Sequence, residues 1–323
     1  MKKKIALLAK CILVIFPVLV FSMYAGTRGL AYVDGEIPYY LWNKHVTGST
    51  DETAYDVLIL GDSAANAAYR PTELSAGTIN LSLGGTTPME NYYILSEWLE
   101  YHEAPADLFV SYMDMHYTIK DPAFWKRVVF SHRFSFRTNW QMTAARYGKL
   151  NAENKGYYLD LLAYELYLPS KYITAVTNAG FNQRYETNVE AYNGNAERRG
   201  RYIAVGTEDG YEGNAESFKT FYMEPCLDVY YRELIQLCEE KGIRLHILRL
   251  PLPEGVSYTA EYEKEYDAYF EKLIQGSDTV ELIRWTTSYE RTFFNDAHHM
   301  NEVGSTRFSS ELKEHYPEIF GSR

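Results

Sequence analysis

Residue types that together perform acyl transfer stand near opposite ends of the sequence. Gly61-Asp62-Ser63 directly follows the short apolar run Asp56–Leu60, and Asp296 and His299 stand three residues apart in the polar segment Asn295–Asn301. A serine hydroxyl is a weak nucleophile until a base removes its proton, and a carboxylate holds that base in the correct tautomer. The pattern predicts Ser63 as the nucleophile, His299 as the base and Asp296 as the orienting acid.

Other interpretations of the same residues stay open at this stage. A serine after a strand can simply cap the helix that follows. The downstream segment is also consistent with a capping Asp296 beside two surface histidines, His298 and His299. A third interpretation is a metal site in which these three side chains are joined by Asp114 or His116. The sequence has no second cluster at ligand spacing, so no metal is predicted.

Composition and charge narrow the class of protein. The chain has 323 residues, of which 46% are hydrophobic and 23% charged, so we expect a folded core of one large domain or two small ones. The formal net charge is −11, which argues against nucleic acid and against an anionic membrane surface as the main partner. The cysteines Cys11, Cys226 and Cys238 match neither a disulfide framework nor a metal pattern.

The N-terminus predicts a membrane anchor. Three lysines precede the apolar stretch Ile5–Ala25, which has the length of about 20 residues that spans a bilayer. Positive charges before a first span favour a cytoplasmic N-terminus. We therefore predict residues 1–26 as a single-pass, N-in anchor, 27–54 as a juxtamembrane connector, and 55–323 as a domain outside the cytoplasm. A cleaved signal peptide is the alternative, although Ser22–Ala25 is a poor cleavage site.

Strand and helix patterns alternate along residues 55–323, apart from one interruption. The alternation predicts an α/β fold whose parallel sheet is covered on both faces. The interruption, at about 119–225, is rich in tyrosine, which suits either an inserted helical layer with an aromatic core or a surface for sugar rings. The predicted strands are Asp56–Leu60, Thr78–Ser82, Asp107–Tyr112, Ile243–Leu250 and Thr279–Ile283. The predicted helices are 88–100 with Thr87 as cap, 227–241 ended by Gly242, 258–275 and 302–314.

Three segments together resemble the SGNH (GDSL-type) hydrolase superfamily. They are Gly61-Asp62-Ser63 after the first strand, Asn80–Gly85 after the second, and Asp296–Asn301 before the last helix. The resemblance is to the membrane-anchored bacterial branch, which includes proteins similar to the D-alanine transfer protein of teichoic acid modification and to alginate O-acetylation factors. It covers roughly residues 55–118 and 226–315.

The resemblance implies a three-layer α/β/α sandwich with a flavodoxin-like parallel sheet. It also implies an oxyanion hole made by the backbone N–H groups of Ser63 and of Gly84 or Gly85. The family's Gly-x-Asn-Asp block is replaced by Ser111–Asp114, so the asparagine donor is missing and Tyr112 is the candidate substitute. The side chains expected near bound substrate are Asp62, Tyr112, Asp114 and Asn301.

The activity implied by the resemblance is that of a serine acyltransferase or esterase at the bacterial plasma membrane. It would O-acylate or deacylate a cell-envelope polysaccharide or teichoic-acid-like polymer through an acyl-serine intermediate, without a metal or organic cofactor. A multi-spanning membrane-bound O-acyltransferase is the implied partner. Two alternatives stay open: a non-catalytic SGNH-like scaffold for such a partner, and a metal-dependent phosphoesterase that uses the Asp/His segment.

Overall fold

Two compact units make up the chain. The computed structural model describes residues 2–50, 54–180, 183–202, 210–214, 216–286 and 288–321. One unit consists of Met1–Leu41 and Phe124–Gly194, and the other of Trp42–Ala123 and Asn195–Arg323. All the residues predicted to form the site belong to the second unit.

Strands and helices are described with the following bounds. The strands are β1 (Val57–Gly61), β2 (Thr78–Asn80), β3 (Asp107–Ser111), β4 (Glu216–Phe218), β5 (Arg244–Leu248), β6 (Leu252–Pro253), β7 (Val256–Tyr258), β8 (Val280–Ile283) and β9 (Ser288–Tyr289). The α-helices are α1 (Lys2–Arg28), α2 (Ile37–Thr47), α3 (Ser63–Ala68), α4 (Pro71–Leu74), α5 (Pro88–Tyr101), α6 (Met115–Thr118), α7 (Phe136–Tyr147), α8 (Lys155–Glu165), α9 (Pro169–Ala179), α10 (Tyr185–Glu197), α11 (Pro225–Lys241), α12 (Ala260–Leu273), α13 (Glu302–His315) and α14 (Pro317–Phe320). A π-helical turn spans Phe124–Val129 and a 3-10 turn spans Arg291–Phe293.

A five-stranded parallel sheet forms the centre of the second unit, in the order β2-β1-β3-β5-β8. All five residues of β1 are buried, as expected for apolar strands of a parallel sheet that is covered by other elements. The register pairs Gly61 of β1 with Ser111 of β3 at their carboxyl ends. The residues after β1 and after β3 therefore emerge at the same edge of the sheet, where ligands of open α/β sheets bind.

The predicted elements of the sheet are confirmed. Each predicted strand is found within about two residues of its predicted ends, the usual uncertainty of such boundaries. Helix α5 begins after Thr87, whose backbone N–H donates to Glu90 Oε2 at 2.9 Å. Helix α11 ends at Gly242, which adopts the left-handed conformation with φ 70°. The mixed α/β class with a parallel central sheet is thus established.

The first unit joins the N-terminal helix to part of the tyrosine-rich middle segment. Met23 of α1 and Tyr172 of α9 lie in one buried apolar cluster, which also contains Val33, Ile37 and Phe130. The residues predicted as an insertion at about 119–225 are therefore divided. Helices α7 to α9 and most of α10 belong with the N-terminal helix, whereas the chain from Asn195 onward belongs with the sheet.

Helix α1 is long and apolar enough to cross a membrane. It contains 27 residues with a mean hydropathy of 2.6 in its most apolar window, and a helix of this length spans about 40 Å. Its side chains from Ile5 to Leu19 are exposed. The predicted N-terminal apolar helix is confirmed. The predicted connector at 27–54 contains helix α2, while Asp51, Glu52 and Thr53 lie outside the described residues.

Candidate active site

The end of strand β1 delivers Ser63 to the carboxyl edge of the sheet. Asp62 follows the strand in an extended conformation and caps α3, which begins at Ser63. The Asp62 Oδ1 atom accepts hydrogen bonds from the backbone N–H groups of Ala64 at 2.8 Å and Ala65 at 3.3 Å. The interpretation of Ser63 as the helix cap is therefore wrong, and its hydroxyl is available to another partner.

Glycine at position 61 is required by the close approach of three elements. Gly61 has φ 153°, and a Cβ there would lie 2.1 Å from the carbonyl oxygen of Ser111 and 2.6 Å from Cβ of Ala65. Atoms cannot approach so closely, and the backbone conformation also disfavours a side chain. The first residue of the Gly-Asp-Ser motif thus allows β1, β3 and α3 to meet directly before the serine.

His299 connects the serine to the carboxylate. Its Nε2 atom lies 2.8 Å from Ser63 Oγ, and its Nδ1 atom lies 2.8 Å from Asp296 Oδ2. One ring nitrogen faces a hydroxyl and the other a carboxylate, which is the arrangement in which an imidazole can remove a serine proton. The structure brings together the three residues predicted as catalytic. Their catalytic role itself remains a prediction.

The Asp296 carboxylate organises the segment that carries the histidine. Its Oδ1 atom accepts the backbone N–H groups of His298 and His299, each at 2.8 Å. Burial opposes the ionisation of this carboxyl, but the hydrogen bonds from the His299 ring and from both backbone N–H groups outweigh it and lower the pKa to about 2. Asp296 is therefore an anion at neutral pH, as an orienting acid must be.

Asn301 fixes the point at which this segment enters α13. Its Oδ1 atom accepts the backbone N–H of Gly304 at 2.9 Å, which makes it the N-cap, and its Nδ2 atom donates to the Thr292 carbonyl at 2.7 Å. Helix α13 packs against α3, the helix that begins with Ser63. Asn301 therefore has a structural role, while the predicted contact with substrate stays a prediction.

Asp62 is buried beneath the serine. Its side chain is fully shielded from solvent, and its Oδ2 atom accepts the backbone N–H of Met113 at 2.7 Å. The carboxylate thereby ties the end of β1 to the segment after β3. This burial argues against the predicted contact of Asp62 with substrate and assigns it the positioning of Ser63 instead.

Tyr112 does not reach the site as a free donor. It is 2% exposed, and its hydroxyl accepts a hydrogen bond from Asn91 Nδ2 at 2.7 Å. Burial raises its pKa well above the usual range. Its place within the core argues against both predicted roles, as substitute oxyanion donor and as substrate contact.

The predicted glycines of the oxyanion hole lie in a turn that is anchored to the start of the motif. Thr86 Oγ1 donates to the Gly61 carbonyl at 2.7 Å, and the Leu83 N–H donates to the same oxygen at 3.3 Å. Gly85 has φ 73° in this turn, a conformation that favours glycine. The turn that holds Gly84 and Gly85 is thus linked to the carbonyl two residues before Ser63.

Two further side chains were missed by the sequence interpretation. Asn66, one helical turn after Ser63, is buried and donates to the carbonyls of Ser82 at 2.6 Å and Gly200 at 2.9 Å. Asn80 lies in the quoted motif, and its Oδ1 atom accepts the N–H of Ser82 at 3.0 Å. Asn66 could have been identified as the one asparagine among the alanines of helix α3, because a buried side-chain amide needs hydrogen-bond partners.

His298 lies beside the triad without joining it. Burial lowers the pKa of its imidazole, and the Asp296 carboxylate offsets only part of that effect. Its ring centroid is 6.2 Å from that of Phe218. Among the residues that the structure describes, no group of three or more His, Cys, Asp or Glu side chains has the arrangement of a metal site.

No protein-family model matches this chain, and no curated protein matches it significantly. The function must therefore be argued from the site and from the motifs. The site contains a serine hydroxyl, an imidazole hydrogen-bonded to it and an ionised carboxylate behind the imidazole. These are the kinds of side chain that nucleophilic acyl transfer requires.

Proposed function

We propose that the chain is a membrane-anchored, extracytoplasmic serine acyltransferase or esterase with the three-layer SGNH architecture. The observation that supports this most directly is the 2.8 Å contact between His299 Nε2 and Ser63 Oγ, with Asp296 on the other ring nitrogen. An imidazole held by a carboxylate and aimed at a hydroxyl is the activating device of serine acyl transfer. The motifs after β1, after β2 and before α13 support the same reaction class.

The reaction proceeds in two steps through an acyl-serine. In the first step Ser63 Oγ attacks the carbonyl carbon of an acyl ester, His299 Nε2 takes the serine proton, and the departing alcohol receives that proton. In the second step water or a sugar hydroxyl gives a proton to His299 and attacks the acyl carbon, and Ser63 leaves and regains the proton. Asp296 stabilises the imidazolium that forms in each step.

The negative charge that develops on the carbonyl oxygen needs fixed donors. We propose the backbone N–H of Ser63 and that of Gly84 or Gly85 for this role, because the glycine turn is tied to Gly61. The loss of one such donor typically lowers a rate by about 100- to 1000-fold. With no asparagine after β3, acylation and deacylation of Ser63 are both expected to be slow, whether water or a sugar hydroxyl is the acceptor.

The proposed substrate is a cell-envelope polysaccharide or teichoic-acid-like polymer, as the motif resemblance implies. Helix α1 would hold the site near the outer face of the plasma membrane, where an acyl-exporting, multi-spanning O-acyltransferase could supply the acyl group. Protease added to intact spheroplasts tests the orientation. Degradation of the chain from outside is expected, and full protection until lysis would contradict it.

A non-catalytic scaffold on the same fold is the second candidate function. The observation that favours it is the burial of Tyr112 in the core beside Asn91, which argues against Tyr112 as the replacement for the missing asparagine. Such a protein would hold polymer or the membrane-bound acyltransferase without covalent chemistry. The two candidates differ in one measurable property, the reactivity of Ser63.

Intact-mass analysis of the full chain in detergent tests the proposal. After incubation with a fluorophosphonate, the wild type is expected to gain one adduct and Ser63→Ala none. Incubation with p-nitrophenyl acetate then separates a turning-over esterase from a stable acyl-enzyme. Ser96→Ala is the matched control, because this α5 hydroxyl bonds to the Tyr92 carbonyl of its own helix. A folded wild type that gains no adduct would favour the scaffold.

A further inference from the structure

A continuous set of contacts leads from the serine to a group of aromatic side chains. Asp62 binds the N–H of Met113 at 2.7 Å, which places the next residue, Asp114, close to the serine end of β1. The Asp114 carboxyl in turn lies near the Tyr262 hydroxyl, and the two groups affect each other's pKa. Tyr262 stacks on Tyr258 with ring centroids 4.5 Å apart.

A second set of contacts reaches the same aromatic group from the histidine side. His298, the neighbour of the triad histidine, lies 6.2 Å from the Phe218 ring. The Phe218 ring is 5.3 Å from Tyr258 and 6.4 Å from Tyr262. Both routes start at the chain neighbour of a triad residue, Asp62 or His298, and end at Tyr258 and Tyr262, so these side chains border one region near Ser63. The rings of Phe218 and Tyr258 are partly exposed there.

Three polar atoms in this region lack a hydrogen-bond partner among the described residues. They are Asp114 Oδ1, His298 Nδ1 and, beside the Tyr258 ring, Arg249 Nη1, and all three atoms are buried. A buried polar atom without a partner costs free energy, so its presence beside a candidate active site points to a ligand that supplies the missing hydrogen bond.

The electrostatic surroundings select the kind of ligand. The carboxylates of Asp296, Asp62 and Glu216 all act on His298, and Asp114 adds a fourth carboxyl nearby. The Arg249 guanidinium lies over the Tyr258 ring at 4.5 Å; its Nη2 atom is paired with Glu263 at 3.2 Å, and its Nη1 atom has no partner among the described residues. The carboxyl groups outnumber this one cation, so a phosphate or carboxylate group would be repelled, whereas neutral hydroxyl groups can bind all three unpartnered atoms.

We infer that Asp114, His298, Phe218 and Tyr258 form a subsite beside Ser63 for a neutral, hydroxyl-rich saccharide ring. The aromatic rings offer flat apolar faces to the sugar, and the two polar side chains bind its hydroxyl groups. One part of the inference rests on the proposed function, namely that a sugar ring bound at this subsite presents a hydroxyl group to acyl-Ser63. It narrows the proposed acceptor to a neutral polysaccharide and disfavours a phosphate-rich teichoic-acid-like polymer.

Equilibrium binding tests the subsite without requiring turnover. The full-length Ser63→Ala chain in detergent is titrated calorimetrically with xylohexaose and, separately, with a glycerol phosphate hexamer. We expect the neutral oligosaccharide to bind at least about tenfold more tightly, and Asp114→Asn and Phe218→Ala each to weaken that binding by about tenfold, the effect of one lost polar or stacking contact. Asp160→Asn and Phe136→Ala, which alter exposed side chains in the first unit, are the matched controls.

Each result decides between the inference and its alternatives. Tighter binding of the glycerol phosphate hexamer, or equal binding by the Asp114 and control variants, would overturn the subsite. Saccharide binding by a chain whose wild-type Ser63 takes no fluorophosphonate would retain the subsite and reject the catalytic proposal. Labelling of Ser63 without saccharide binding would retain the catalytic proposal and reject the subsite. The two failures are therefore distinguishable.

Discussion

His299 and Ser63 lie 2.8 Å apart, Nε2 to Oγ, although 236 residues separate them in the chain. Two helix caps position these side chains. Asp62 caps the helix that begins with Ser63, and Asn301 caps the helix that follows His299. The two helices pack against each other. The contact between nucleophile and base is therefore a consequence of two capped helix starts that meet at the edge of the sheet.

Replacement of the proposed base should be reversible by an added base. We expect His299→Ala to lower the rate of Ser63 labelling by about 10²- to 10⁴-fold, the usual contribution of a general base. The His299 side chain is 22% exposed, so external imidazole can enter the space and restore part of the rate. His315→Ala is the control, because that ring is exposed and bonds its own helix. Equal labelling of His299→Ala and wild type would reject the base assignment.

Acid should destabilise the fold in two separate ranges. Burial lowers the pKa of His298 below its ordinary 6.5, so the unfolded chain binds this proton more tightly and stability is lost as pH falls through that range. The pKa of Asp296 is about 2 against an ordinary 3.8, so its stabilisation is present above that ordinary value and is lost as pH falls from there toward 2.

Denaturant unfolding at about pH 7.5 and 5.5 measures the first of these effects. The wild type should lose unfolding free energy between the two values, and His298→Gln should lose less because it has no proton to bind. His315→Gln should behave as the wild type does. Identical losses in His298→Gln and wild type would show that burial does not shift this group.

Local patterns in the sequence were sufficient to predict the sheet and the triad. An apolar run such as Val57–Leu60 forms a buried strand wherever it pairs, and Thr87 and Gly242 mark helix ends through their own backbone chemistry. Ser63, Asp296 and His299 were recognisable because acyl transfer requires these residue types. Ser63 follows a predicted strand, and Asp296 and His299 precede a predicted helix, which are positions from which the three side chains can meet.

Such local patterns could not predict contacts between segments that are distant in the sequence. The aspartate of the Gly-Asp-Ser motif binds a backbone N–H 51 residues away, at Met113, and no local signal distinguishes this role from a substrate contact. The same holds for Tyr112, whose hydroxyl meets Asn91 in the core. Met23 and Tyr172 also pack in one apolar cluster of the first unit, and neither segment alone predicts this tertiary contact.

The buried Tyr112 hydroxyl provides a direct test of the oxyanion hole. Tyr112→Phe should leave the rate of Ser63 labelling within about twofold of wild type, because the side chain is buried in the core, where its hydroxyl accepts a hydrogen bond from Asn91. Stability should fall by about 1 kcal/mol, the net value of one hydrogen bond. Labelling rates and denaturant midpoints measure the two effects. A loss of 100-fold or more in rate at unchanged stability would make Tyr112 the missing donor.

The glycine before the motif aspartate should tolerate no side chain. In Gly61→Ala the new methyl carbon would meet the Ser111 carbonyl oxygen at 2.1 Å, and φ of 153° would strain the backbone. We expect a loss of at least about 2 kcal/mol in unfolding free energy from overpacking and strain, together with loss of Ser63 labelling in whatever protein folds. Gly156→Ala is the matched control, since nothing lies within 4 Å of its Cβ position in helix α8 and alanine is favoured in helices by about 0.5–1 kcal/mol. A Gly61→Ala chain that unfolds at the wild-type denaturant concentration and labels at the wild-type rate would show that β1, β3 and α3 do not meet as closely as described.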